Sequence, residues 1–150
     1  MSPRSDPRPE ALVLLNPASR GGRGRALWAR VAPLLARHWR FELAETDPRA
    51  AWRIAIARAL SRGVRSFVAA GGDGTVGAVV DALADNPRGL PLDRLRLGAV
   101  GLGSSNDFHK PPGRVVAGVP LRIDPRHCRR RDVCLVRWTL PGAASGRRHM

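Results

Sequence analysis

Short apolar runs alternate along this chain with longer stretches of helical period. Ala11–Leu15 is continuously apolar and stops at Asn16-Pro17, which reads as a buried strand and a turn. From Ala26 to about His38, Leu27, Val31, Leu34 and Leu35 keep a helical spacing, with Pro33 set to kink or delay the helix. Phe41–Ala44 reads as a second strand. Thr46-Asp47-Pro48 has the form of a helix start, a capping side chain followed by proline in the first turn. Trp52, Ile56, Ala59 and Leu60 then share one helical face, and Gly63 is placed to end it. Val64–Ala70 is a third strand and Val76–Ala84 a helix with Val79, Val80 and Leu83 apolar. Residues 85–94 connect it to a fourth strand, Leu95–Leu102.

Strand and helix therefore alternate through the first hundred residues, the pattern of an α/β fold with a parallel sheet covered on both faces. The loops 16–25, 71–75 and 103–108 each follow a strand directly. They should share one edge of the sheet, beyond the strands' carboxyl ends, where such folds bind ligands. After Lys110 the pattern changes. Pro111-Pro112-Gly113 breaks the chain, and Val119–Asp124 and Val133–Leu140 read as strands flanking Arg126, Arg129, Arg130 and Arg131. Residues 1–9 form a loose, proline-rich lead-in and 141–150 a basic tail, which leaves 10–140 as one domain.

The net charge of +14 is carried almost wholly by arginine, Lys110 being the only lysine. Such an excess suits a polyanionic partner. The arginines are spread through every segment, however, as on solvated faces, and few aromatics accompany the 126–131 cluster. A base-stacking platform for specific nucleic-acid binding is not indicated. Cys128 and Cys134 match no metal spacing and the histidines are dispersed, which argues against zinc. The first apolar run is too short for a signal peptide and no segment reaches membrane-spanning length, so a cytoplasmic location with reduced thiols is expected.

The densest chemistry lies in Gly71-Gly72-Asp73-Gly74-Thr75. Its glycines let backbone N–H groups approach a phosphate closely, and Thr75 can cap the next helix while touching the same group. Asp73 would repel a bare phosphate. It fits if it orients loop N–H groups, or if it meets a metal ion or its waters. In the first loop Asn16 and Ser19 can hydrogen-bond phosphate, and Arg20, Arg23 and Arg25 add charge. That loop lacks the GKS or GKT ending of nucleoside-triphosphatases, and Gly22-Arg23-Gly24 is only a fragment of the dinucleotide fingerprint. Ser104, Ser105 and Asn106 offer small polar groups in the third loop, and Asp107 a second carboxylate. Asp124 reads, from the residues alone, as an ordinary turn former at a strand end.

Taken in order, Asn16-Pro17-Ala18-Ser19, Thr46 after the second strand, Gly71–Thr75 and Gly103–Phe108 resemble the motifs of the diacylglycerol kinase catalytic domain family. That family includes bacterial lipid kinases, sphingosine kinases and ceramide kinases. The likeness covers roughly residues 10 to 140. The GGDGT run alone is shared with NAD kinases; Asn106-Asp107-Phe108 is what points to the lipid kinases.

The resemblance implies a three-layer, parallel-sheet α/β domain of the NAD kinase and diacylglycerol kinase type. It also implies phosphorylation of a lipid hydroxyl, diacylglycerol-like, by ATP with magnesium. By the same likeness, Asn16, Ser19, Thr46, Gly71, Gly72, Asp73, Gly74, Thr75, Ser104 and Asn106 would contact ATP. Asp73, Asp107 and Asp124 would organise a magnesium–water network. Two places depart from the family: Arg20 stands between Ser19 and Gly21, and Gly77-Ala78 stands where Asn-Glu is common. Family members carry a second, β-rich half that holds the lipid and supplies the general base. No catalytic base is therefore expected within these residues, and this chain alone is expected to be inactive. An apolar patch left for that half would favour a homodimer, with peripheral contact to an anionic membrane at its inner face. Two other readings stay open, a non-catalytic basic module binding anionic surfaces or nucleotides, and an NAD kinase.

Overall fold

The computed structural model describes residues 8–111, 113–138 and 146–149. Strand β1 (Glu10–Leu15) runs into a single turn, α1 (Ser19–Gly22), and then helix α2 (Gly24–Leu35). There follow β2 (Arg40–Glu45), α3 (Trp52–Ser61), β3 (Ser66–Gly71), α4 (Asp73–Ala84) and β4 (Arg96–Gly101). Beyond these lie β5 (Arg114–Val116), β6 (Val119–Arg122), β7 (Leu135–Trp138) and β8 (Gly146–His149). The main sheet has the order β2-β1-β3-β4-β6-β5, while β7 and β8 form a separate antiparallel pair. The first four strands are parallel, and β6 joins β4 antiparallel.

Burial of the central strands on both sides explains why they read as unbroken apolar runs. In β1, Leu12 and Leu14 enter one core with Trp52, Ile56, Leu60, Val79 and Leu83 of α3 and α4. Ala11, Val13 and Leu15 enter the other, with Trp28, Val31 and Leu35 of α2. Strand β3 repeats the division, Phe67 and Ala69 on one side and Val68 and Ala70 on the other. This two-residue alternation sets the layers, because each face of the pleat needs its own helical cover. The edge strand β2 is instead half solvated. Its charges are paired with neighbours, Arg40 with Glu10, Glu42 with Arg62 and Glu45 with Arg25, which blunts an open edge.

The strand order also locates the site. From β1 the chain steps outward to β2 with α2 on one face. It then returns past β1 to β3 with α3 on the opposite face. Right-handed crossovers in opposite directions leave a crevice between the carboxyl ends of β1 and β3.

Several sequence expectations shift. Helix α2 starts before Ala26 and ends at Leu35 rather than His38, and it passes through Pro33 without interruption. Pro33 lies near the helix end, and Ala36 still donates to the Ala32 carbonyl at 2.9 Å. Thr46-Asp47-Pro48 makes a turn, not a helix start. Asp47 accepts from Arg49 N at 2.6 Å, and Ala50 adopts φ 56°, which breaks the helical path until Trp52. Helix α4 begins at Asp73, three residues before the expected Val76, so the glycine loop forms its first turn. Strand β5 was not foreseen, and β6 ends at Arg122 short of Asp124. Of the strand expected over 133–140, residues 135–138 are observed and 139–140 lie outside the described residues. Most of the lead-in, and 141–145 and 150 of the tail, also lie outside them, as does Pro112.

The expected helix end at Gly63 is present. Gly63 has φ 91°, and Val64 N donates back to the Ala59 carbonyl at 3.0 Å. The 85–94 connection is ordered by buried Asn86. Its amide bonds the carbonyls of Leu83 and Leu90, and its oxygen accepts from Leu90 N.

Candidate functional site

The three loops that follow β1, β3 and β4 meet at one end of the sheet. Asn16 N donates to the Ala70 carbonyl at 2.8 Å, which continues the β1–β3 pairing beyond the strand. The Asn16 side chain then uses both ends of its amide. Its Nδ2 donates to Thr75 Oγ1 at 3.0 Å, and its Oδ1 accepts from Ala18 N at 3.0 Å. The first loop is thereby joined to the glycine loop across the crevice. Thr75 is buried and its hydroxyl oxygen accepts from Asn16 rather than capping the helix, which corrects the capping role expected of it.

Glycine is required here by close approach, not by a positive φ. A Cβ on Gly71 would lie 2.2 Å from Thr75 Oγ1. One on Gly103 would lie 2.5 Å from the Gly72 Cα, so the second and third loops cross backbone to backbone.

Asp73 fastens that crossing. Its carboxylate accepts from Phe108 N at 2.9 Å through Oδ1 and from Asp107 N at 3.0 Å through Oδ2. This is the arrangement in which a carboxylate orients loop N–H groups, one of the two roles its position suggests. Asn106 shapes the third loop from within. It takes left-handed backbone angles, and its side chain binds Gly103 N and the carbonyls of Gly103 and Gly101. Behind the loop sits His109, which is buried, with neither ring nitrogen hydrogen-bonded among the described residues. Burial holds its pKa below the ordinary 6.5, and the nearby Arg122 acts in the same direction.

An open cleft of about 210 Å³ lies over the β1–β3 switch point, lined by Asn16, Thr46, Asp47, Trp52, Gly74, Thr75 and Ala78. Of the residues expected to contact a nucleotide, Asn16, Thr46, Gly74 and Thr75 line it directly. Gly71 packs beneath Thr75, and Gly72 packs against Gly103. Ser19 is buried under the first loop, while Ser104 is exposed on the third. Among the first-loop arginines, Arg25 is engaged by Glu45 in a two-pronged pair at 2.6 and 2.7 Å, and Arg20 and Arg23 stand exposed.

Sequence reasoning missed Asp47, Trp52 and Ala78 as cleft residues. Trp52 fitted a core face, and it does pack there. Its position just after the β2 loop was the available signal that it also reaches the crevice.

The three carboxylates expected around magnesium each have protein partners. Asp73 holds the two amides. Asp107 is exposed and pairs with Lys110 at 2.6 Å, which with the Ser105 hydroxyl keeps its pKa below the usual range. Asp124 lies apart, bonded by Arg126 and His127, and is held strongly ionised by them. Among the described residues the one trio close enough to ligate a single ion is Asp81, Asp85 and His149. Those groups are already paired, Asp81 with Arg53 and His149 and Asp85 with Arg147.

The architecture is thus a doubly wound α/β domain whose glycine-bearing loops meet at one end of the sheet, beside a cleft at its switch point. The model of the "Diacylglycerol kinase catalytic domain" matches residues 10–119, and the chain belongs to that family. It is 31% identical over 125 residues to a diacylglycerol kinase of Staphylococcus epidermidis, covering 78% of this chain and 37% of the relative. It is 36% identical over 107 residues to diacylglycerol kinase theta of Mus musculus, covering 70% and 10%. To a probable lipid kinase YegS-like protein of Stenotrophomonas maltophilia it is 34% identical over 91 residues, covering 55% and 26%. The chain therefore spans well under half the length of these relatives.

Proposed function

We propose that this chain carries the ATP-binding half of a lipid kinase that moves a phosphoryl group from MgATP to a lipid hydroxyl. The observation that carries this reading is the joining of three loops at the end of the sheet that bears the cleft, by Asn16 to Thr75 and by Asp73 to the Asp107 and Phe108 amides. Phosphoryl transfer needs positioned phosphates more than covalent participation by the protein. The residues present suit such a ligand. Asn16, Thr46 and Thr75 supply small polar groups, Trp52 supplies a flat apolar wall, and Gly74 leaves open space where a side chain would stand. Asn16 fixes the cleft floor, and the α4 N-terminus adds the partial positive charge of its free amides.

A magnesium ion, when bound with the nucleotide, would spread the charge on the transferring phosphoryl group. Asp73 and Asp107 would meet that ion through water, because each is already hydrogen-bonded within the protein. On this reading residues 10–140 bring the nucleotide, and the lipid and the base for its hydroxyl meet parts of the relatives that lie beyond the matched stretch. No helix among the described residues is long and apolar enough to cross a membrane.

Titration calorimetry with MgATP tests the reading. Saturable binding is expected, and Gly72→Asp should abolish it by forcing a charged side chain into the backbone crossing with Gly103. Absence of binding, or binding indifferent to that substitution, would refute the nucleotide site. A second reading, a basic module for anionic surfaces, draws on Arg129, Arg130 and Arg131, which are exposed and pair with no described carboxylate. Salt-sensitive binding to anionic vesicles without any nucleotide binding would favour it.

A further inference from the structure

Strand β8 lies along helix α4. His149 N donates to Asp81 Oδ1 at 3.1 Å, and its ring Nδ1 sits 2.9 Å from the same oxygen. Arg147 donates to Asp85 at 3.1 Å. Burial works against ionisation of Asp81, but the hydrogen bonds from His149 and Arg53 outweigh it and hold its pKa low. The strand is therefore anchored on α4 by charge, and it runs towards the helix start as its numbering rises from Arg147 to His149.

Between the two anchoring residues stands Arg148. It is exposed, and its side chain makes no hydrogen bond or ion pair with any described residue. Its Nη2 lies 3.1 Å from where a Cβ on Gly77 would be, so the glycine at 77 is what seats the guanidinium on the first turns of α4. Gly77 is one helical turn from Gly74 on the same side of the helix. Gly74 lines the cleft, and nothing stands within 4 Å of a Cβ placed there. Two side-chain-free positions on this side of α4 thus stand between Arg148 and the cleft. An unpaired guanidinium at such a place suits a phosphate, which its planar fork can bind through two parallel hydrogen bonds.

We propose that Arg148 is a phosphate-binding residue of the cleft, delivered by β8 onto α4 at Gly77 and directed at the terminal phosphates of a bound nucleoside triphosphate. The proposal rests on the nucleotide reading given above, and the probes separate the two. Calorimetry on the 1–150 chain and on Arg148→Ala would use ATP, adenosine and inorganic tripolyphosphate. Arg148→Ala should weaken ATP and tripolyphosphate about tenfold, the scale of a charge-assisted hydrogen bond, and leave adenosine unchanged. Gly77→Asn, which displaces the guanidinium, should weaken ATP in the same sense, while Arg148→Lys should fall between.

ATP affinity within twofold of the parent in Arg148→Ala overturns the proposal while leaving the nucleotide site standing. Tripolyphosphate binding lost on substitution, with no ATP binding by either protein, upholds Arg148 as a phosphate ligand and removes the nucleotide reading. No binding of either anion by the parent chain overturns both. Unchanged melting temperature in Arg148→Ala is expected, since the side chain makes no bond that folding would lose.

Discussion

Replacing Asp73 with asparagine changes one oxygen to an amide nitrogen and little else in shape. In the structure both carboxylate oxygens accept backbone N–H groups, from Phe108 at 2.9 Å and Asp107 at 3.0 Å. Asparagine can accept only one of these, and its NH2 would face the other N–H donor to donor. A hydrogen bond to a charged acceptor contributes about 1.5–3 kcal/mol, and the unpaired amide adds to the loss. Asp73 is only half-buried, so solvent screening places the expected loss at the low end, about 1.5–2.5 kcal/mol. That free energy holds the third loop to the helix start. Its loss should raise the local opening of the loop by about 10- to 70-fold. Hydrogen exchange read at the Asp107 and Phe108 amides measures this directly, with β1 and β3 amides as unaffected controls. Protection that stays within twofold of the parent in Asp73→Asn would refute the reasoning. It would do so most clearly if MgATP binding were lost at the same time, for then Asp73 would act through the metal and not through the loop.

Gly71→Ala should destabilise the domain by about 2 kcal/mol or more through overpacking, because its Cβ would meet Thr75 Oγ1 at 2.2 Å; a thermal melt within a degree of the parent would contradict that contact. Stability should fall as pH drops below about 6.5, the ordinary histidine value, because the unfolded chain takes a proton that buried His109 resists, and it should be fully present above that pH. Arg122 opposes that proton and Asp73 favours it. Urea midpoints at pH 7.5 and 5.5 should differ less in His109→Leu than in the parent, and an equal difference would clear His109 of the effect. Magnesium titrated alone should give no saturable heat, since Asp73, Asp107 and Asp124 are each already held; tight binding without nucleotide would show a preformed ion site.

The layered fold was legible because β1 and β3 are buried on both faces and so read as continuous apolar runs. The loops' shared edge followed from strand–helix alternation alone. Element ends were less legible where a side chain answers to a distant partner. Thr75 looked like a helix cap, and its hydroxyl instead belongs to Asn16, 59 residues earlier. Thr46-Asp47-Pro48 looked like a helix start, and Asp47 instead closes a turn on Arg49 that lets Ala50 take φ 56°. Trp52 satisfied a helical period and so concealed its second face on the cleft. In each case local pattern named the right kind of residue, and the contact that decided its job came from another loop.

A carboxylate is tolerated beside the proposed phosphate site because its charge is already engaged. A free aspartate at the start of α4 would set its charge against any anion in the cleft. In this chain two amides of the third loop absorb that charge, and Lys110 offsets Asp107 next to it. The Asp73 charge is then used to tie the third loop to the start of α4, and the crossing of Gly72 over Gly103 is what brings the amides within reach. The glycines and the aspartate of the 71–75 loop are therefore one device. The glycines admit the third loop, and Asp73 holds it there. A substitution at either member should release the same segment, so combining Asp73→Asn with Gly103→Ala should cost the 107–108 amides no more protection than the worse single change.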